Sequence, residues 1–151
     1  MNAELKLVEP APAQEPALLV RVDPRYPGAW EAVEPFLQAA LTRGGGDRDW
    51  LIEDVRASTS SGETALWAVV TAGRVFGAVV TREIYYPRRK VMEVLLTGTE
   101  ANTDQIWAQC LDQLKYFAKL IGCQTLMGTG RPGWGRKLGA IRERRVWEFD
   151  L

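Results

Sequence analysis

A mixed α/β domain, an antiparallel meander with one long helix packed across it, is what this sequence predicts, and three observations carry the expectation. Two runs rich in Val, Thr and aromatic residues, Ala65–Thr71 and Arg74–Tyr86, are joined by the tight pair Ala72-Gly73, which is the pattern of a β-hairpin. Further on, Trp107, Leu111, Leu114, Ala118 and Ile121 recur at helical spacing until Gly122 closes the run, as in an amphipathic helix with a glycine stop. A chain of 151 residues, 46% apolar and 25% charged, has room for one core and the composition of an ordinary globular protein.

The elements follow in chain order. Pro10, Pro12, Pro16, Pro24 and Pro27 keep the start out of a helix, and the apolar Leu18–Val22 within it fits a strand. Residues 1–24 are therefore read as an extended arm with an edge strand, and residues 25–151 as the domain proper. From Trp30 the positions Val33, Leu37, Ala40 and Leu41 mark a first helix, kinked or reopened at Pro35 and ended by Gly44-Gly45-Gly46. Asp47 or Asp49 caps a short second helix through Trp50, Leu51 and Val55, which dissolves in the Ser/Thr-rich stretch ending at Gly62. After the hairpin, Pro87-Arg88-Arg89-Lys90 makes a second turn into a strand over residues 91–97. Asn102 with Gln105 offers a capping box for the long helix over residues 102–121. A buried strand over 123–127, a helical piece over 134–138 and a last strand over 145–149 complete the chain.

Composition excludes several functions. Lys plus Arg and Asp plus Glu are 19 each, so no net field draws in nucleic acid or an anionic membrane. No apolar run is long enough to span a membrane, and Met1-Asn2-Ala3-Glu4 lacks the pattern of a signal peptide, which places the protein in the cytoplasm where it is made. Cys110 and Cys123 are the only cysteines, too far apart for a Cys-x-x-Cys site, and are read as buried thiols. Histidine is absent altogether, which removes Ser-His and Cys-His nucleophile pairs and the commonest metal ligand.

The succession of two early helices, a three-strand meander, a long helix, a strand, a short helix and a last strand resembles the fold of the GNAT acyltransferases over nearly the whole chain. A closer resemblance, to small GNAT-like proteins of tailed bacteriophages, rests on Val33-Glu34-Pro35, Leu66-Trp67-Ala68-Val69, Ala78-Val79-Val80-Thr81, Tyr86-Pro87-Arg88-Arg89 and Gly130-Arg131-Pro132-Gly133-Trp134. GNAT enzymes hold the CoA pyrophosphate on an Arg- or Gln-led Gly-x-Gly or Gly-x-Ala loop before the long helix, where backbone N–H groups and the helix N-terminus converge. The corresponding stretch here, Thr97-Gly98-Thr99-Glu100-Ala101-Asn102-Thr103-Asp104, has one glycine, no arginine and two carboxylates. Thr97, Gly98 and Thr99 are the only cofactor-binding candidates, and Gly98 reads first as a turn residue. Like charges at about 4 Å cost about 4 kcal/mol at an effective dielectric of about 20, so Glu100 and Asp104 argue against pyrophosphate and suit the positive end of a helix.

The resemblance also calls for a carboxylate on the central strands to take the amine proton and for a tyrosine on the following short helix to protonate the thiolate. Glu93 is the candidate base, although a lone strand carboxylate is more often a solvated face residue. Trp134 stands where the tyrosine is expected, leaving the acid without a candidate. The remaining concentration is basic: Arg82, Arg88, Arg89 and Lys90 near one turn, then Arg131, Arg136, Lys137, Arg142, Arg144 and Arg145. With Trp134 and Trp147 it reads as a protein-docking face before a nucleic-acid one. Arg88, Arg89, Arg131, Trp134 and Arg136 are the interaction candidates.

The resulting expectation is a noncatalytic structural or assembly component of a tailed-phage virion at the portal or tail. Such a protein needs no cofactor or metal, docks on other virion proteins through its arm, and can form a ring of its own copies. The first alternative is a GNAT-type N-acetyltransferase using acetyl-CoA through an atypical pyrophosphate loop; an accessory nucleic-acid-binding protein ranks third.

Overall fold

The computed structural model describes residues 15–44, 46–100, 104–130 and 133–151, without the side chains of 104 and 105. Strands β1 (Leu18–Val22), β2 (Ala65–Thr71), β3 (Arg74–Tyr86), β4 (Arg89–Thr99) and β5 (Thr125–Gly128) lie side by side in chain order. The first four pair antiparallel. β5 joins β4 in parallel because helix α3 (Asp104–Leu120) first carries the chain back across the sheet. The expected meander and the long helix over it are both present.

Both faces of the sheet are buried, which is why β2 and β3 read as nearly continuous apolar runs. Trp67, Val69, Val79 and Met92 point to one face and pack with Cys110, Leu114 and Ala118 of α3. Their neighbours Leu66, Ala68, Ala78 and Val80 point to the other, against Trp30, Val33, Leu37 and Leu41 of helix α1 (Ala29–Gly44) and Val55 of helix α2 (Ile52–Ser61). Each large apolar side chain so buried contributes about 1.5–3 kcal/mol. The one polar group that Trp67 brings inside is satisfied, since its indole N–H donates to Thr81 Oγ1 at 2.9 Å.

Local departures from expectation have local causes. Pro35 stays inside α1 as its seventh residue, where its missing N–H costs the helix one i→i−4 bond without ending it. The Ser/Thr stretch does not dissolve α2. Ser58 and Thr59 turn their hydroxyls back to Val55 O at 3.2 and 2.8 Å, and the helix runs to Ser61 before Gly62 ends it with φ 83°. Its start is held neither by Asp47 nor by Asp49, which lie in and after a short 3-10 turn over Gly46–Arg48; the Leu51 N–H donates to the Asp54 carboxylate at 2.8 Å. The capping box of Asn102 and Gln105 lies outside the described residues and side chains. Helix α4 (Trp134–Lys137) is one turn long.

The largest departure is at the end. Residues 145–149 form no strand, and the tail exposes Ile141, Val146, Trp147, Phe149 and Leu151 at 79% or more. The alternation that predicts a strand is present, but the ladder it needs is not supplied.

Candidate functional site

β4 is 11 residues long, whereas β5 pairs only with Val91, Met92, Glu93 and Val94. From Leu95 onward β4 has no partner on that side among the described residues, and the two strands part. The gap is an apolar cleft of about 290 Å³, walled by residues 94–97 of β4, Trp107, Leu111 and Leu114 of α3, Leu126 and Met127 of β5, and Trp134 with Leu138 from α4 and its exit. Its volume lies near the low end of small-molecule sites, about 300–1,000 Å³, and suits a slender ligand. Lys115 is the one ionisable side chain among the described lining residues.

Two features of the strands shape this gap. β4 carries an irregularity opposite Val80/Thr81, where the register moves from Leu96 to Val94 and skips Leu95; such a bulge bends the strand. Beyond it, Gly98 lets α1 come close: a Cβ there would overlap the Phe36 carbonyl oxygen. Gly98 is thus neither the turn residue expected nor an open phosphate cradle. It pairs with Ala78 inside β4, and the space that a cradle needs beside it is occupied by α1.

Thr97 lines the cleft, and Thr99 is the last residue of β4. The strand therefore runs two residues past its expected end, so most of the stretch read as a loop is β4. Of the remaining loop, only Glu100 is described. Its carboxylate is not free to repel an anion as expected, because Arg74 holds it with two bonds at 2.9 and 3.1 Å. Residues 101–103 and the Asp104 side chain lie outside the described residues and side chains.

Glu93 is held as well. It accepts a bond from Arg82 Nε at 2.9 Å with its side chain 13% exposed, one residue before the lining begins. The interaction candidates separate. Arg88 is exposed on the β3–β4 turn, and Arg89 stacks over Tyr86 at 5.3 Å and donates to Thr125 Oγ1 at 3.4 Å. Trp134 instead lines the cleft, with Arg136 exposed on the same short helix. The two groups belong to opposite ends of β4, since the eight residue steps from Arg89 to Thr97 span about 26 Å. Arg131 lies outside the described residues.

Sequence reasoning missed the cleft itself. The available signal was the length mismatch between a long apolar β4 and a four-residue β5; Trp107 and Leu111, on the apolar stripe of α3, also line the gap.

No protein-family model matches the chain, and no curated protein matches it in sequence. Solved structures do. An aminoglycoside N-acetyltransferase in complex with CoA superposes with a TM-score of 0.66 at 11% identity, over 94% of this chain and 99% of that one. A GNAT family acetyltransferase of Staphylococcus aureus gives 0.65 at 10% identity, over 90% and 99%. An integron cassette protein from the mobile metagenome of V. cholerae gives 0.62 at 19% identity, over 89% and 93%. These neighbours overturn the expectation of a noncatalytic virion component, and with it the phage, tail and assembly readings. The shared fold is that of acetyltransferases, one of them holding CoA, and nothing among them indicates a phage origin. The virion reading is withdrawn on that finding. The expectation that no cofactor is used loses its basis with it. At these identities the likeness speaks for architecture, and the chain has the GNAT acetyltransferase fold.

Proposed function

We propose that the chain is a GNAT-type acyltransferase that takes an acyl thioester, acetyl-CoA in the first instance, into the cleft between β4 and β5 and passes the acyl group to an amine. The observation that carries this reading is the parting of the two strands after Val94. It leaves the β5-facing side of residues 95–97, whose other side belongs to the pairing with β3, without a strand partner among the described residues and beside an apolar gap. Unpaired strand edges take extended ligands that carry amides of their own, and the pantetheine arm of an acyl thioester is a slender chain with two amides. Trp107, Leu111, Leu126 and Trp134 supply the apolar contact. In the transfer, the amine nitrogen bonds to the thioester carbonyl carbon, the C–S bond breaks, and the proton given up by the amine leaves with the thiol.

The other half of CoA finds less. Residues 97–105 contain no Lys or Arg, Arg74 is engaged by Glu100, and Phe36 fills the space beside Gly98. Charge-assisted bonds to phosphates are worth about 1.5–3 kcal/mol each, so an enzyme without them discriminates little between donors with and without the nucleotide. The test is a free-thiol release assay with a panel of primary amines, run with acetyl-CoA and with S-acetyl-pantetheine. Saturable amine-dependent release is expected, with kcat/KM for the two donors within about tenfold of one another. Release from neither donor across the panel contradicts the proposed function; a preference for acetyl-CoA above a hundredfold contradicts the account of the pyrophosphate end.

A further inference from the structure

The chain is neutral as a whole, but its charges are distributed unevenly around the cleft. Away from it, Arg25, Arg48, Arg74, Arg82 and Lys90 are each held by a carboxylate within 3.2 Å. On the α4 side of the cleft the cations lack such partners. Lys115 lines the gap, Arg136 is exposed on α4, and Arg142, Arg144 and Arg145 are exposed after it. None of these five forms an ion pair among the described residues. Lys137 stands over the Trp134 ring at 5.8 Å.

Local folding keeps these arginines near the gap. The Ala140 N–H donates to Gly135 O at 2.7 Å, and a Cβ on Gly135 would stand 3.5 Å from Ala140 Cβ and 3.4 Å from Glu143 Oε1. The chain through Glu143 is therefore turned back onto α4. Ala140 itself lines the cleft, so Arg142, two residues on, is at most about 7 Å of chain from the wall. Residues 136–145 carry five cations and one carboxylate, whereas residues 97–105, at the start of α3, carry no Lys or Arg. Attraction for an anion is thus concentrated on the α4 side.

We infer that this basic strip docks an acidic carrier protein that bears its acyl thioester on a phosphopantetheine arm, and that the arm enters the cleft from the α4 side. The inference rests on the acyltransferase reading and names the donor. One partner has to use two adjoining features, an apolar gap that suits a slender chain and a row of cations longer than one phosphate group covers. A carrier protein meets both, with its arm in the gap and its acidic surface on the row. Nucleic acid would use the row and leave the gap empty. Lys115, the ionisable group of the described lining, is the one to neutralise the phosphate that joins arm to carrier. When the amine nitrogen bonds to the acyl carbon and the C–S bond breaks, the carrier leaves with its arm as the free thiol. Exposed charges of this kind act mainly on encounter and partner choice.

The test is calorimetric titration with an acidic acyl carrier protein holding acetyl-phosphopantetheine on its serine, beside S-acetyl-pantetheine alone. Saturable carrier binding is expected, at least about tenfold tighter than that of S-acetyl-pantetheine and at least about tenfold weaker at 0.5 M than at 0.05 M salt. The double variant Arg142→Glu/Arg144→Glu weakens carrier binding at least tenfold and leaves S-acetyl-pantetheine binding unchanged, since neither arginine lines the cleft. Should that variant misfold, Arg142→Gln/Arg144→Gln is used, with a smaller loss in the same direction. Absence of carrier binding overturns the inference. So does carrier binding undiminished in the folded variant, or tighter binding of a single strand of DNA of about 20 nucleotides. Absence of thiol release from every donor with the amine panel counts against the acyltransferase reading, and the binding comparison decides the docking separately.

Discussion

Gly98 shows how one residue type supports opposite readings. In the sequence it is the lone glycine of a stretch where a phosphate loop belongs; in the fold it is a strand residue whose missing side chain admits the Phe36 carbonyl. No local pattern separates these, because the atom that decides lies 62 positions away in the chain. Gly98→Ala should cost about 1–3 kcal/mol through overpacking, read as a lower urea midpoint at unchanged m-value, so loss of ligand binding in that variant says nothing about a cradle. Cys110 gives a pH prediction. Burial pushes its thiol from 9.0 up to about 11, and Cys123 is raised by the same cause. The unfolded thiol loses its proton above about pH 9 while the native one keeps it to about 11, so the folded state holds more protons in that window. Stability therefore falls as pH rises through it. Urea midpoints measured from pH 7.5 to 10.5 should drop less steeply in Cys110→Ala than in the parent.

Elements were legible where their pattern is strong and their partners near. The hairpin is marked by Val-rich runs and by Ala72-Gly73, both at positive φ, 50° and 71°, the geometry of a tight two-residue hairpin turn. The stripe of α3 appears at nearly its full length. What failed depends on distant neighbours. The final strand has the right alternation but no ladder among the described residues, and the end of β4 runs on to Thr99 because β3 still pairs with it at Gly77. The link between β1 and α3 was likewise invisible, since Gln109 and Gln113 look like ordinary solvated helix residues until the backbone of β1 is placed beside them. Gln113→Leu removes two of those bonds, to Leu19 N and Ala17 O. At about 0.5–1.5 kcal/mol each it should lower stability by about 1–3 kcal/mol and speed hydrogen exchange at Leu19, leaving β3 and β4 protected. Uniform loss of protection across the sheet would mean that the glutamine secures more than the edge.

At the scale of the whole molecule, the order of elements was enough to identify the fold, and the reading of its function turned on a loop while the cleft went unseen. Sparse charge at the mouth and an open apolar gap beside it are compatible once the thioester arm, and not the nucleotide, is taken as what the protein grips. The most direct measurement is calorimetric titration of acetyl-CoA into the protein and into Leu111→Trp, which fills the cleft from α3 without touching residues 97–100. The account predicts saturable binding to the parent and at least tenfold weaker binding to a variant that still melts cooperatively. Binding that is absent at millimolar acetyl-CoA, or undiminished in Leu111→Trp, would contradict it.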